Sequence, residues 1–437
     1  MLFDMLPRMF PNLSRQFNEE ELKKLGTAML AGNPVSGGPP AGYTYFGQFI
    51  AHDLTQLSTD EERPVKHGSE PIQERNPALD LDPVYGGLDT RGFIIAVEPD
   101  GSMKVDLTYS DTGQWAKSDL PRDANGMPLI PDDRNEDNLF VAQIHVLFLR
   151  LHNYLIENHG AGINNRSDRF KFGKENTIRI YHELIKTDFL SKILDATVYD
   201  EMVIQGNHLS WNQLRVPREF AGAAFRFGHA MVLNQYTPRA NQIRPLEHFL
   251  TMTGRHRFSR SRLPGLLESE RIDWRSMFFD WGALPAGLEK NFARGLSPII
   301  NLKIKPTGDF PEVNIAKRNL LRGNELELPS GQDIIQAIAP AIKNALGINS
   351  LTATQLNIQN LLDDTNLGLQ TPLWYYLLAE ADVIGGNAKL GPLGSYLVAD
   401  VMMGLLNNSP HHGKAVIPPP SGNPWTMNEL VWNVLPM

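Results

Sequence analysis

Apolar residues along this chain recur at helical spacing far more often than they alternate. The clearest case is 137–159, where Phe140, Ile144, Leu147, Phe148, Leu151, Tyr154 and Leu155 share one helical face and Gly160 supplies a stop. Segment 43–54 carries large apolar residues at 43, 45, 46, 49, 50 and 54 and reads as a buried helix, with Gly47 its weakest point. Helices are also predicted over 173–194 and over 217–233. The second of these opens on Pro217 and contains small residues, Ala221 to Ala224, that permit close approach of a neighbour or a flat ligand. Shorter helices are predicted over 20–32, 332–345 and 352–362. Between them, Pro- and Gly-punctuated stretches at 33–42, 57–90 and 100–134 read as loops, and 240–300 alternates loops with short helices. The fold class is therefore mainly α: a single large helical domain with long loops and little sheet. The predicted division is an extension over 1–40 that packs on the domain, a domain over 41–407, and an irregular tail over 408–437.

Composition changes this picture in two ways. With 437 residues and 42% hydrophobic content, the chain can bury a sizeable core. The absence of cysteine excludes disulfides, thiolate metal sites, cysteine nucleophiles and iron–sulfur clusters, and it fits an intracellular or bacterial setting. The net charge of -8 argues against nucleic acid and anionic membrane partners. The opening MLFDMLPRMFPNLSRQF lacks a basic region followed by a long apolar run, so no classical signal peptide is expected. No stretch approaches 18 uninterrupted apolar residues, so no membrane span is expected. Location stays open between the cytoplasm and export without a classical signal, and the sequence leaves the oligomeric state open.

Four groups of residues could carry chemistry. Gln48 and His52 are four apart and share a helix face, while Asp53 is turned about 100° away and points elsewhere. His52 fits either a packed core histidine or a catalytic one. Arg134, at the end of a Pro- and Asp-rich loop, fits a cap, a partner of Asp132 or Asp133, or a group facing a cavity. His229, among small residues, fits a core histidine or an axial ligand to heme iron. Asn76, Asp80 and Asp82 offer hard oxygen donors on a flexible loop, which suits calcium as well as it suits a solvated acidic turn.

Five segments in order, AGYTYFGQFIAHDL (41–54), LDLDPVYGG (79–87), DDRNEDNLFVAQIHVLFLRLHN (132–153), FAGAAFRFGHAM (220–231) and FPEVNIAKRNLLRGNELELPSGQ (310–332), resemble the animal-type heme peroxidase superfamily, in a bacterial form. The resemblance implies His52 as the distal acid–base histidine, Gln48 as the distal-pocket glutamine, Arg134 as the distal arginine and His229 as the proximal iron ligand. It implies Arg226 near the heme edge. It implies Asn301 as the acceptor of the proximal histidine's other ring proton. It implies Asp53, Asn76, Asp80, Asp82 and the Ala78 carbonyl as calcium ligands. The family's two heme esters come from an acidic residue just before the distal histidine and another three residues after the distal arginine. Here these positions are Ala51 and Asp137, the latter one methylene shorter than the family's Glu, so largely noncovalent heme b is expected. Asn138 stands where one family member adds a sulfonium link. The residue three before the proximal histidine is Arg226 rather than the radical tyrosine of the oxygenating branch. The implied activity is reduction of hydrogen peroxide with oxidation of small organic donors, with halides a weaker candidate. The alternatives are a fatty acid dioxygenase-like oxygenase and a heme-binding protein without strong catalysis.

Overall fold

The computed structural model describes residues 4–56, 72–73, 75–87, 95–108, 117–252, 265–279, 284, 286, 288–300, 302–304, 313–362 and 365–435. Helices dominate, and among the described residues the strands form five two-stranded antiparallel sheets. The mainly α expectation therefore holds.

The central element is the helix Leu139–His159. Asn138 caps its start by accepting the Val141 N–H at 3.0 Å, and Gly160 ends it. Most of its residues are buried, because it is packed on several sides: by helix Gly42–Leu54, by helix Arg166–Glu183 and by the C-terminal helix Met427–Val434. It is the one described helix long and apolar enough to cross a membrane, and most of its apolar window is buried inside the protein.

Several predicted helices are present but broken, each for a local reason. The helix over 173–194 starts earlier, at Arg166, where Asn165 accepts the N–H groups of Ser167 and Asp168. It then widens into a π turn over Leu184–Phe189 before closing at Ile193. The helix over 217–233 is a short α segment, Arg218–Gly222, then a 3-10 segment, Ala224–Met231, joined at Ala223 with φ -141° and ψ -63°. The 332–345 helix splits before Pro340, as the steric demand of proline on its predecessor requires. The 352–362 helix splits at Asn357, which is left-handed with φ 56°.

The loop predicted over 33–42 contains a strand, Ser36–Pro40, paired with Phe292–Arg294. A side chain at Gly38 would collide with the Arg294 carbonyl, so this glycine is what lets the two backbones approach. Three helices of ten or more residues lie outside the stretches predicted to be helical. Two of them, Leu373–Val383 and Pro392–Asn408, are apolar nearly all round because they are buried nearly all round. The third, Ile315–Glu325, packs against Glu19–Ala28.

The N-terminal segment is tied to the rest: the Arg218 N–H donates to the Pro7 carbonyl at 2.9 Å, and Met9 N–H donates to Glu219 at 2.9 Å. The tail is not wholly irregular. Its helix Met427–Val434 is anchored where Met427 N–H donates to buried Asp188 at 2.7 Å and Arg150 Nε donates to the Val434 carbonyl at 2.6 Å.

Candidate active site

One large cavity, of about 450 Å³, is lined by Gln48, His52, Arg134, Asp137, Arg226 and His229. These six come from three separate stretches of chain, and helix packing brings them together. Tyr45, Phe189, Phe220, Phe225, Leu246 and Ile315 supply much of its apolar wall. No side chain occupies the space that a Cβ at Gly228 would enter, so the backbone beside His229 is open.

Gln48 and His52 lie on the same face of Gly42–Leu54. Asn138 does two jobs here: it caps the long helix, and its Nδ2 donates to Gln48 Oε1 at 3.0 Å. His52 is almost fully buried, and its Nδ1 lies 2.9 Å from Asn135 Oδ1. Its Nε2 is 3.9 Å from Asp137 Oδ2. Burial, with the Arg134 charge, drives the His52 pKa down to about 4, against smaller opposing effects of Asp132 and Asn135. The ring is therefore neutral at pH 7, and its approach to Asp137 is not an ion pair.

Arg134 fulfils all three of the roles its sequence position allowed. It lines the cavity. It pairs with Asp132 through Nε at 3.0 Å and Nη2 at 2.6 Å. It also caps the C-terminal end of Gly42–Leu54, donating to the carbonyls of His52 at 2.8 Å and Thr55 at 2.6 Å. Asp132 in turn accepts from Arg75 Nη2 at 2.5 Å. Burial pushes the Asp132 carboxyl upward, but the hydrogen bonds and charge of Arg134 and the charge of Arg75 outweigh it and hold the pKa at about 2.

His229 sits in the 3-10 segment Ala224–Met231. The hydrogen bond assigned from sequence to Asn301 is made instead by Asn319, whose Oδ1 is 3.0 Å from His229 Nδ1. Asn301 itself lies outside the described residues. Both amide atoms lie against the ring: Asn319 Nδ2 is 2.9 Å from His229 Nδ1 and also donates to the Ile315 carbonyl at 3.0 Å, while Oδ1 is the atom that can accept a His229 Nδ1–H. In the tautomer with the proton on Nδ1, accepted by Asn319 Oδ1, His229 Nε2 keeps its lone pair. Burial first, then the Arg226 charge, lowers the His229 pKa to about 4, so the ring is neutral at pH 7. Sequence reading missed Asn319, although RNLLRGN was among the segments singled out: two asparagines in one short run gave no means of choosing. Arg226 Nε donates to the Ala221 carbonyl at 2.7 Å. The Trp374 indole donates to the Arg226 carbonyl at 3.1 Å and so braces this segment from Leu373–Val383. Arg318, also missed, is a second cationic group on this side of the cavity.

Asp53 points away from the cavity. It is wholly buried and accepts the N–H groups of Leu81 at 3.3 Å and Asp82 at 3.0 Å. Leu79 and Leu81, on either side of Asp80, both hold left-handed backbone, with φ 55° and 59°, a costly conformation for a branched side chain. Asp80 Oδ1 and Asp82 Oδ2 are buried with no hydrogen-bond partner. Ala78 is buried beside them, and Asn76 is half-buried. Among the described residues there is nevertheless no group of three or more His, Asp or Glu side chains arranged to hold a metal ion.

Comparison with known proteins follows the same line. The family model described as animal haem peroxidase matches residues 62–329, more than half of the chain. Arg134, His229 and Asn319 fall inside this span, whereas Gln48 and His52 precede it. Heme peroxidase 2 of Caenorhabditis elegans is 23% identical over 354 residues, which cover 76% of this chain and 47% of that protein, so the chain spans about half the length of this curated relative. Among solved structures, peroxidase A of Dictyostelium discoideum superposes with a TM-score of 0.63 at 14% identity, covering 99% of this chain and 93% of that one. The fatty acid alpha-dioxygenase of Arabidopsis thaliana gives 0.60 at 12% identity, covering 91% and 71%. That of Oryza sativa gives 0.58 at 13% identity, covering 93% and 76%. At these identities the superpositions establish the shared fold. The chain belongs to the animal haem peroxidase family.

Proposed function

We propose that this chain is a heme-dependent peroxidase that reduces hydrogen peroxide and oxidises small organic donors. Membership of the family implies heme binding and a small-molecule redox reaction, and the family contains both peroxidases and fatty acid dioxygenases. The observation that carries the narrower reading is the pair of neutral histidines, His52 and His229, that line one cavity with Arg134 beside the first.

The cavity fits heme by its chemistry: an unprotonated imidazole nitrogen at His229, an apolar wall, and two cationic side chains. His229 Nε2 would hold the iron, with Asn319 fixing which ring nitrogen carries the proton. Arg226 and Arg318 would pair with the heme carboxylates. Heme, when bound, supplies the redox chemistry. His52 Nε2 takes a proton from hydrogen peroxide and returns it to the departing oxygen as water leaves. The Arg134 guanidinium, held in place by Asp132, stabilises the negative charge that develops on the peroxide. Gln48, fixed by Asn138, offers a polar contact to water or a small donor in the same space. Ala51 cannot form an ester, and Asn138 is committed to Gln48 and to capping, so retention rests on noncovalent contacts. Among the described residues, Asp137 is the one carboxylate on the wall.

Calcium enters this proposal on narrower ground: the orphan oxygens of Asp80 and Asp82 beside buried Asp53 have the hard-oxygen chemistry a calcium ion uses. An ion there would require these carboxylates to draw together.

The test is the absorption spectrum of the heme-loaded chain before and after peroxide, with oxidation of a phenolic donor as the readout. A peroxide-driven change coupled to donor oxidation is expected. Oxygen uptake that depends on a fatty acid and needs no peroxide would replace this reading with the dioxygenase one. Heme that remains with the protein after acid–acetone extraction would contradict noncovalent retention and point to Asp137.

A further inference from the structure

Behind His52 lies a second buried imidazole that the proposed reaction does not use. Asn135 Oδ1 is 2.9 Å from His52 Nδ1, and Asn135 Nδ2 is 3.0 Å from His145 Nδ1. Asn135 and His145 are wholly buried. The three side chains thus form a line running from the cavity into the core, where the Phe49 ring meets His145 edge-on with centroids 6.3 Å apart.

Hydrogen-bond polarity makes this line directional. An amide oxygen only accepts, so the proton between Asn135 and His52 belongs to His52 Nδ1. The neutral ring then has no proton on Nε2, the nitrogen that must take one from peroxide. An amide nitrogen only donates, so His145 Nδ1 must accept, and the His145 proton sits on Nε2, which has no partner. Turning the amide over would reverse both histidines together: His145 would carry its proton on Nδ1, and His52 would carry its own on Nε2, where it would block proton capture. The orientation of one amide therefore sets the state of both rings.

The geometry points to Asn135 as a positioning residue that keeps the proton of His52 on Nδ1 and leaves Nε2 open toward the cavity, with His145 holding the amide from its far side. The inference rests on the reading of His52 as the group that accepts the peroxide proton.

Imidazole nitrogen shifts in the full-length chain labelled with nitrogen-15 histidine distinguish the two neutral tautomers. They can be read on the chain as purified and again after loading with heme and binding carbon monoxide to the reduced, diamagnetic iron. His52→Ala and His145→Phe assign the two signals. In the wild type, His52 should carry its proton on Nδ1 and His145 on Nε2. Asn135→Ala should let both His52 tautomers appear, shifting their ratio about tenfold, the weight of one buried hydrogen bond. Asn135→Asp, isosteric and acceptor-only, should return the His52 proton to Nδ1 and move the His145 proton from Nε2 to Nδ1. Capture of hydrogen cyanide by the heme-loaded chain, which needs the same open Nε2, should slow in Asn135→Ala and recover in Asn135→Asp. An unchanged His52 tautomer in Asn135→Ala, or a His145 proton that stays on Nε2 in Asn135→Asp, overturns the inference. The second result decides the matter even where the alanine variant does not fold. A chain that shows the stated tautomers but binds no heme would sink the peroxidase reading and leave the tautomer assignment standing.

Discussion

Asp132 is a sharp place to test the electrostatic design of this site. Its carboxylate is buried, with a side chain 2% exposed, and it holds two arginines at once: Arg75 at 2.5 Å and Arg134 at 2.6 Å. Asp132→Asn keeps the shape and removes the charge. Arg75 suffers most, because its side chain is 3% exposed. Among the described residues its Nε and Nη1 have no partner, and Gln56 at 3.0 Å would be its remaining contact. Leaving a buried charge unpaired costs about 3–5 kcal/mol. Part of that cost depends on pH. The folded-state pKa of Asp132 is about 2, below its ordinary value of 3.8. A group depressed in this way contributes stability above the ordinary value and loses it as pH falls through the folded value. The pH-dependent part is ~2 kcal/mol. Urea unfolding of wild type and Asp132→Asn across pH 7 to pH 2 measures both parts, because other carboxylates titrate alike in the two proteins and cancel in the difference. The difference should be greatest at neutral pH and shrink as pH drops from about 4 toward 2. A difference under about 1 kcal/mol at pH 7, or one that does not change with pH, refutes the claim that Asp132 is a charged keystone between the two arginines.

Three further outcomes follow from the same geometry. His52→Ala in the heme-loaded chain should slow peroxide reduction by about 10²–10⁴-fold with heme content unchanged, as stopped-flow absorbance would show; a loss below tenfold removes His52 from proton transfer. Asn319→Ala should weaken heme retention about 10–100-fold by freeing the His229 ring, measured as the rate of heme transfer to a competing acceptor protein. Asp80→Asn tests calcium: metal analysis should find less bound calcium than in wild type, with reduced thermal stability, whereas unchanged metal content and activity would remove calcium from the proposal.

How much of this was legible in the sequence depends on what kind of contact carried each feature. Gln48, His52 and Asp53 could be read because a single helix period fixes which side chains share a face, and Asp53 does turn from the cavity to the Leu81 and Asp82 backbone. The long helix could be read because its polar interruptions are periodic. Leu373–Val383 and Pro392–Asn408 could not, since burial on every side erases the period that marks a surface helix. The Asn319 bond to His229 spans 90 residues. No local rule ties these two side chains together, and Asn301, which the resemblance chose for this bond, lies outside the described residues.

The polar framework behind the cavity was the least legible part, and the reason is physical. Asp132, Asn135 and Asn138 lie within seven consecutive residues, in a loop and 3-10 turn whose pattern shows only polarity. Each becomes meaningful through what the Gly42–Leu54 helix presents to it. Asp132 holds the arginine that caps this helix, Asn135 reaches His52, and Asn138 fixes Gln48. One short segment therefore sets the positions of both Gln48 and His52, the amide and the imidazole that this helix offers to the cavity. It also starts the long helix on which the Gly42–Leu54 helix packs. Shifting that segment by one residue would detach Arg134, Asn135 and Asn138 from their partners together and take a cap from each of the two helices. The site is thus built as a docking of one loop onto one helix face, and its chemistry should fail as a unit when that docking fails.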